Sequence, residues 1–388
     1  MRRIILNAGM VIATTIAFSV FTSSCLNDDD ETIVLESGSI SGIPADSKAK
    51  PNPSIEGNTT VMPNVQYTVE DEGNNIIIRL DMTGVRDANG IDWIKLYGTG
   101  LDNQNVWVEV DGTPKGILVI NSDENDNNRK RLTDLVFLVD NSGSMDSEAD
   151  AIARDIRDWA QKLEASNLDI RFGCVGYSVY GTINGALDIT DATTLGTYLD
   201  RSYGTNRTVG FTGANNEKLK AAANSYKTTG DECGGQALRY ADEQLSWRSG
   251  ANRIYVNFTD EPNQPGGIKE YSTEYFRDAQ NWPTYKGTVH TVYSANTSYT
   301  EQLYYREYPW NLSTYTGGTF LTASSSFTGV TLESLPVTGA LQNSYIIRFT
   351  NIRPLMDGKD HVVKITIVSA DGKTTVERIF YINFGTAQ

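Results

Sequence analysis

Three short stretches of this chain place hard oxygen ligands just beyond an apolar run or just before a helical one. Asp140-Asn141-Ser142-Gly143-Ser144 follows the apolar run Leu135–Val139. One carboxylate and two hydroxyls at that spacing suit Mg2+, Mn2+ or Ca2+ rather than softer metals. Gly143 is expected to permit a tight turn that points both serines to one side. Thr259-Asp260-Glu261-Pro262 follows the run Arg253–Phe258 in the same manner. Gly230-Asp231-Glu232-Cys233-Gly234-Gly235 precedes a helix that begins near Gln236. Taken alone, the first loop also reads as a helix cap, because Asp and Ser are preferred capping residues.

The elements that must position these loops follow a strand–helix–strand grammar. Leu135–Val139 is continuously apolar, as a strand covered on both faces requires. Asp146–Ala165 carries Ala149, Ile152, Ile156, Trp159 and Leu163 at three- and four-residue spacing, which predicts a helix. Ile170–Tyr177, Arg253–Phe258 and Thr288–Tyr293 read as further strands, and Leu238–Leu245 as part of a later helix. The alternation predicts an α/β fold: a doubly wound, mostly parallel sheet with helices on both faces. Ligands of such sheets collect beyond the carboxyl ends of the strands, so the three loops are expected to converge on one point.

On either side the signal is β. Val65–Val69, Asn75–Asp81, Trp93–Tyr97, Val106–Val110 and Ile117–Ile120 are short β-branched or aromatic runs separated by turn-forming residues. Residues 122–131 are polar and charged and mark a boundary. After about residue 335 helices are expected to cease, leaving Tyr345–Phe349, His361–Val368 and Val376–Ile382 as strands, with turns at Asp357-Gly358 and Asp371-Gly372. Each flank is small for a core of its own. Residues 64–121 and 336–384 are therefore expected to pair as a β-sandwich, with the α/β segment 132–330 inserted between them.

Composition narrows the function classes. The chain has 388 residues and a net charge of -15, which works against a broad grip on nucleic acid. Two histidines and three cysteines leave little for zinc or His-rich metal chemistry. Neither G-x-S-x-G nor H-E-x-x-H occurs, so hydrolase chemistry has no nucleophile elbow or zinc helix to stand on.

The N-terminus reads as an address. Residues 1–24 join Arg2 and Arg3 to an apolar stretch, Ile4 to Val20, and then to Thr22, Ser23 and Ser24. Thr-Ser-Ser-Cys resembles the lipobox of bacterial lipoproteins, which implies a cleaved signal and a lipid on Cys25; Thr22 departs from the usual Leu. An ordinary secretion signal is the other reading. The acidic run after Cys25, Leu-Asn-Asp-Asp-Asp-Glu, resembles tags that route some Gram-negative lipoproteins to the cell surface, or is a solvated spacer. Residues 25–63 as a whole read as this acidic tag and a flexible tether, including Lys-Pro-Asn-Pro-Ser at 50–54. The localisation expected is an outer-membrane lipoprotein exposed at the cell surface.

Phe137-Leu138-Val139-Asp140-Asn141-Ser142-Gly143-Ser144-Met145 resembles the first motif of von Willebrand factor type A (VWA) domains, and Thr259-Asp260 resembles their last. Trp247-Arg248-Ser249-Gly250-Ala251 resembles the approach to that last strand in a secreted subgroup. The resemblance covers residues 132–330 and implies a Rossmann-like fold with a metal-ion-dependent adhesion site. By it, Ser142 and Ser144 would bind Mg2+ (or Mn2+ or Ca2+) directly, Asp140 and Asp260 would act through bound waters, and a partner protein's Asp or Glu would complete the coordination. Where many relatives place a threonine, this chain offers Asp231 and Glu232. Glu232 lies five residues before Ala237, a spacing that resembles integrin β-type sites, and is favoured, with Asp231 second and Thr228 or Thr229 as the fallback.

Cys174 and Cys233 are candidates for a disulfide in an oxidising compartment; two buried thiols are the other reading. His290 and His361 read as strand residues without ligand partners. Residues 271–315 are dense in Tyr and Trp, either a contact surface or ordinary packing. The function expected is a lipid-anchored envelope protein, not an enzyme, whose VWA domain binds a protein partner through a divalent ion. The alternative is a scaffold or filament subunit in which the ion only stabilises the fold.

Overall fold

A computed structural model describes residues 42–46 and most of 65–386; within 65–386 the longest stretches outside the description are 122–131, 201–208 and 295–305. The signal segment, Cys25 and its acidic run, and Lys-Pro-Asn-Pro-Ser at 50–54 lie outside the described residues.

The chain begins with strands β1 (Val65–Glu72), β2 (Asn75–Met82), β3 (Val106–Val110), the short β4 (Thr113–Pro114) and β5 (Ile117–Asn121). It then enters the α/β segment through β6 (Leu132–Asp140), α1 (Ala149–Glu164), β7 (Asp169–Ser178), β8 (Thr182–Thr190) and α2 (Ala192–Leu199). Next come α3 (Asn216–Ala223), α4 (Gly234–Gln244), β9 (Asn252–Thr259), α5 (Thr273–Arg277) and β10 (Thr288–Ser294). The segment closes with α6 (Asn311–Thr316), β11 (Phe320–Ala323) and α7 (Pro336–Gln342), before β12 (Tyr345–Phe349), β13 (Asp360–Val368) and β14 (Thr375–Asn383).

The inner sheet runs β11-β10-β9-β6-β7-β8, parallel except for the β7–β8 hairpin at one edge. Strand β6 is buried on both faces. Leu135, Phe137 and Val139 pack with Ile152, Ile156 and Trp159 of α1, while Val136 and Leu138 pack with Leu238 and Ala241 of α4. Each such side chain contributes about 1.5–3 kcal/mol on burial, which is why the run shows no polar alternation. Strand β8 is not legible in the sequence, because Gly185 and Asp188 interrupt its apolar pattern.

The flanking strands form two four-stranded antiparallel sheets, β1-β2-β12-β5 and β14-β13-β3-β4. Strand β12 from the C-terminal flank enters the middle of the first sheet, with Ile347 opposite both Leu80 and Val119. In the second sheet β13 pairs with β3, placing Ile365 opposite Val108. The inner faces share one core that includes Ile78, Leu80, Val108, Ile347, Phe349 and Ile365. The α/β segment is thus an insertion in a sandwich whose two halves complete each other.

Three expectations need correction. Trp93–Tyr97 forms no strand; Trp93 makes an isolated bridge to Arg86, and its ring lies against α7 at Gly339. Helices do not cease at residue 335, since α7 follows directly with Pro336 at its first turn. The tether is not wholly free: within residues 42–46 Ile43 is fully buried, and Asp46 pairs with the buried Lys115 at 2.7 Å and accepts from the Gly116 N–H at 2.9 Å. A Cβ at Gly116 would run into the carbonyl oxygens of Pro44 and Ala45, so glycine is what lets this segment lie against the sandwich.

Candidate metal centre

Strand β6 delivers Asp140 to the carboxyl edge of the sheet, where the chain turns at once. The Asn141 N–H donates to Tyr177 O at 2.7 Å and the Ser142 N–H to Asp140 Oδ1 at 2.9 Å. Asp140 is fully buried, and its Oδ2 accepts from the Thr259 hydroxyl at 2.9 Å. A residue at the end of β9 therefore fixes the carboxylate at the end of β6. A short 3-10 turn, Gly143–Met145, then leads towards α1, with Met145 buried as its anchor. Gly143 does not have the role expected of it. It is absent from the positive-φ residues, and a Cβ there would meet nothing within 4 Å.

The two serines and the second aspartate come together. Ser142 Oγ lies 3.0 Å from Ser144 Oγ, and the Ser144 hydroxyl donates to Asp260 Oδ1 at 3.1 Å. Asp260 is 1% exposed, yet its Oδ2 is buried with no hydrogen-bond partner. Leaving a buried carboxylate oxygen unsatisfied costs about 1–3 kcal/mol or more, and a cation is the usual remedy for such an atom. Gly143 and Ser144 are exposed, so the cluster opens to solvent on one side. Among the described residues no group of three or more His, Cys, Asp and Glu is spaced to hold a metal ion, so any ion here would depend on the serine hydroxyls.

The middle loop sorts its candidates. Thr228 donates to Pro265 O at 2.7 Å and Thr229 to Gly266 O at 2.8 Å, so neither threonine points its hydroxyl at the serines. Asp231 Oδ1 accepts from the Tyr180 N–H at 2.6 Å, so the second choice braces the β7–β8 hairpin instead. Glu232 is buried, and Gln264 Nε2 donates to it at 3.3 Å and to Glu261 at 3.2 Å. Burial foremost, with the charges of Asp140, Asp231 and Asp260 adding, pushes Glu232 up to about 7. Asp260 is raised to about 6 by burial and then by Asp140. Glu261 is raised to about 8 by burial, then by Glu232, Asp260, Asp140 and Asp231. These side chains feel one another across a partly dry patch of one sign, which is the field a divalent cation relieves.

Sequence reasoning missed Glu261 and Gln264 as members of this patch. Nothing in Thr259-Asp260-Glu261-Pro262 tells which carboxylate turns inward, and the Gln264 amide acquires its role only when two loops meet. It also missed Tyr180, which is 79% exposed at the hairpin tip with a left-handed φ of 61°. A tyrosine in that conformation is uncommon, and the Asp231 carboxylate on its N–H is one reason it holds.

The proposed disulfide does not form. Cys174 and Cys233 are both free and buried, Cys174 with Leu187 and Ile170 on the α1 side of the sheet, Cys233 with Ala237 and Tyr271 on the α4 side. Burial raises both thiols, Cys233 to about 12 and Cys174 further. His290 accepts from the Thr319 N–H at 3.2 Å, and His361 bridges Asp111 and Asp357 in the sandwich, so neither histidine reaches the patch. Among the described residues of the aromatic-rich region several rings are packed, with Trp282 against Tyr255 and Phe276, and Trp310 stacked on Tyr308, while Tyr285 is exposed.

Residues 134–303 match the family model described as the von Willebrand factor type A domain, and this segment has that fold. No curated protein matches the chain. Among solved structures, proximal thread matrix protein 1 from the mussel byssus, with a zinc-occupied MIDAS motif, is 14% identical with a TM-score of 0.37; the match covers 59% of this chain and 49% of that one. The pilus adhesin SpaC from Lactobacillus rhamnosus GG, in its open conformation, is 10% identical with a TM-score of 0.33, over 82% of this chain and 47% of that one. The chain thus spans about half the length of each.

Proposed function

We propose that this protein is a lipid-anchored envelope protein whose VWA domain binds a partner protein through a divalent cation. The residues present fit such an ion: the hydroxyls of Ser142 and Ser144 would hold it, with Asp140, Asp260 and Glu232 around it. The ion would supply positive charge to an acidic surface and so a landing point for a partner's Asp or Glu carboxylate. Mg2+ is the ion proposed, with Mn2+ or Ca2+ taking the same oxygen set. The observation that carries the reading is the buried, unpartnered Oδ2 of Asp260, whose other oxygen accepts from Ser144 in the serine pair. Tyr180, exposed beside the middle loop, would give the partner an aromatic contact. The role is binding rather than catalysis, at the outer membrane and facing outward, with lipid on Cys25.

The test measures two things on the same protein. Mg2+ should raise the melting temperature, and Ser142→Ala or Asp260→Ala should abolish that rise. Retention of partners from envelope and host-surface extracts should require Mg2+ and be lost in chelator, and Tyr180→Ala should weaken retention while leaving the Mg2+ response intact. No Mg2+ response in the parent protein would overturn the metal site. A Mg2+ response with retention unchanged in chelator would favour the scaffold reading instead.

A further inference from the structure

The end of the α/β segment away from the serine loop carries a second, unrelated recess. The short 3-10 turn Thr284–Lys286 around Tyr285 feeds the amino end of β10, whereas Asp140 and Asp260 leave the carboxyl ends of β6 and β9. There the edge strands of the two sandwich sheets, β1 and β14, approach each other, with the Tyr67 hydroxyl 3.5 Å from Asn383 O. The Gln66 amide donates to Tyr285 O at 2.6 Å and so ties β1 to the turn. Between these three pieces lies a groove of about 450 Å³, a volume in the range of small-ligand sites.

Its lining has a particular chemistry. Tyr67 and Tyr285 stand almost perpendicular, at 84° with centroids 6.5 Å apart, and give two aromatic walls at a right angle. Tyr381 of β14 adds a third ring, and both Tyr285 and Tyr381 are about two-fifths exposed. Asp360, Gln280 and Asn383 also line the groove, while among the described residues no lysine or arginine does. Asn383 is held at both ends: its amide donates to Gly358 O at 2.8 Å and to Asp360 Oδ1 at 3.3 Å, and its carbonyl accepts from the Gly385 N–H at 2.9 Å. The Asp360 carboxylate is thereby oriented in advance. Its charge reaches Tyr67, whose hydroxyl is raised chiefly by burial and then by Tyr285 and Asp360.

Aromatic faces suit the apolar C–H faces of a sugar ring, and a fixed carboxylate with a flexible amide suits its hydroxyls. A single acid without any base disfavours phosphate, sulfate and sialic acid, and the chain's overall charge of -15 works in the same direction. Polar groups spaced around the rings disfavour a lipid tail. We infer that the groove between β1, the Tyr285 turn and β14 is a saccharide site that takes a neutral oligosaccharide, independently of any metal. The protein then carries two binding sites at opposite ends of one sheet, one for a carboxylate-bearing protein and one for a neutral glycan.

A glycan array containing neutral, sialylated and sulfated oligosaccharides, probed with the full chain in chelator, tests this. Neutral glycans should be retained and anionic ones not. Binding of the best neutral glycan, followed by calorimetry, should weaken at least tenfold in Tyr381→Ala and in Asp360→Asn, and should be unchanged in Ser144→Ala. Both substituted residues of the groove are exposed, and an unchanged melting temperature separates lost binding from lost folding. Absence of any neutral glycan, preference for anionic ones, or affinity untouched by both groove variants would overturn the assignment. So would displacement of the glycan by nothing but a proline-rich peptide that itself binds more tightly, since a tyrosine-lined groove can serve such peptides.

Discussion

The hydroxyl of Thr259 donates to Asp140 Oδ2 at 2.9 Å and accepts from the Glu261 N–H at 3.0 Å, so one side chain locks a neighbouring strand's carboxylate and the turn that carries Asp260. Thr259→Val keeps the shape and removes both bonds. Loss of a partner for buried Asp140 should cost about 1–3 kcal/mol. Mg2+ affinity should fall roughly ten- to a hundredfold, the usual effect of removing a group that orients a ligand. Melting curves with and without Mg2+ read both effects, and a variant that binds Mg2+ as the parent does would show that Thr259 does not position the site.

Arg248, which the sequence singled out in a family-like motif, works as a staple at the opposite end of the same strand. Its backbone and side chain donate to both oxygens of Asp134, and its guanidinium also reaches Asp169 and Thr133 O, at 2.6–2.9 Å. Asp134 is fully buried. Arg248→Ala should therefore destabilise by about 3–5 kcal/mol, as a buried charge loses its partner. Arg248→Met combined with Asp134→Leu should recover part of that, because the buried charge goes together with its partner, although the backbone N–H of residue 248 loses its acceptor. Denaturant melts of the two variants check the order.

The two histidines pull stability in opposite directions with pH. His361 is raised above 6.5, first by its hydrogen bond to Asp111 and then by Asp357, with the His361 ring also stacked on Phe384. Its contribution is complete below pH 6.5 and is lost as pH rises through the folded value. Asp111 is lowered by His361, and Asp357, beside Lys359, is lowered to about 2, first by the Lys359 N–H. Those carboxylates contribute above about pH 4 and lose their effect as pH falls below it. His290 is lowered to about 4 by burial, so its neutral form stabilises above pH 6.5. That stability drains as pH falls from 6.5 towards 4, by about 1.4 kcal/mol for each pH unit crossed. His361→Gln should flatten the decline above pH 6.5, and His290→Gln the decline between 6.5 and 4. Thermal melts across pH 4–9 would show it, and unchanged slopes in either variant would refute that histidine's part.

Gly116→Ala should release residues 42–46 from the sandwich. The new Cβ would collide with two backbone carbonyls, and Lys115 would lose its arrangement with Asp46. Hydrogen exchange at Ile43, Ala45 and Asp46 should rise while β6 and β9 keep their protection. Equal protection in parent and variant would mean the segment is not clamped there.

Much of this was readable beforehand, for identifiable reasons. Leu135–Val139 announces a strand covered on both faces, and Asp140 is legible as the polar residue that ends the apolar run, although it too is buried. Asp140, Ser142, Ser144 and Asp260 meet because parallel strands deliver their loops to one edge. Contacts made by backbone direction were hidden. Thr228 and Thr229 turn to the Pro265–Gly266 backbone, Asp231 turns to Tyr180, and Cys174 and Cys233 fall on opposite faces because strand alternation and helix phase separate them. Gly143, chosen for conformational freedom, has an ordinary φ. Trp93, Leu96 and Tyr97 looked like a strand, yet tertiary packing took precedence over β propensity, Trp93 lying against α7 and Leu96 in the sandwich core.

If Cys25 carries the proposed lipid, the clamp at Asp46 would change how far the molecule can stand from a bilayer. With a lipid on Cys25, residues 26–41 are the whole distance available before the chain is fixed to its own sandwich, at most about 55–60 Å when drawn straight. Were the chain first fixed at β1, residues 26–64 could reach roughly 130 Å. With that anchor in place, one buried lysine and one glycine would set the leash, and opening the joint would let the same protein sweep a volume roughly tenfold larger without a single residue added.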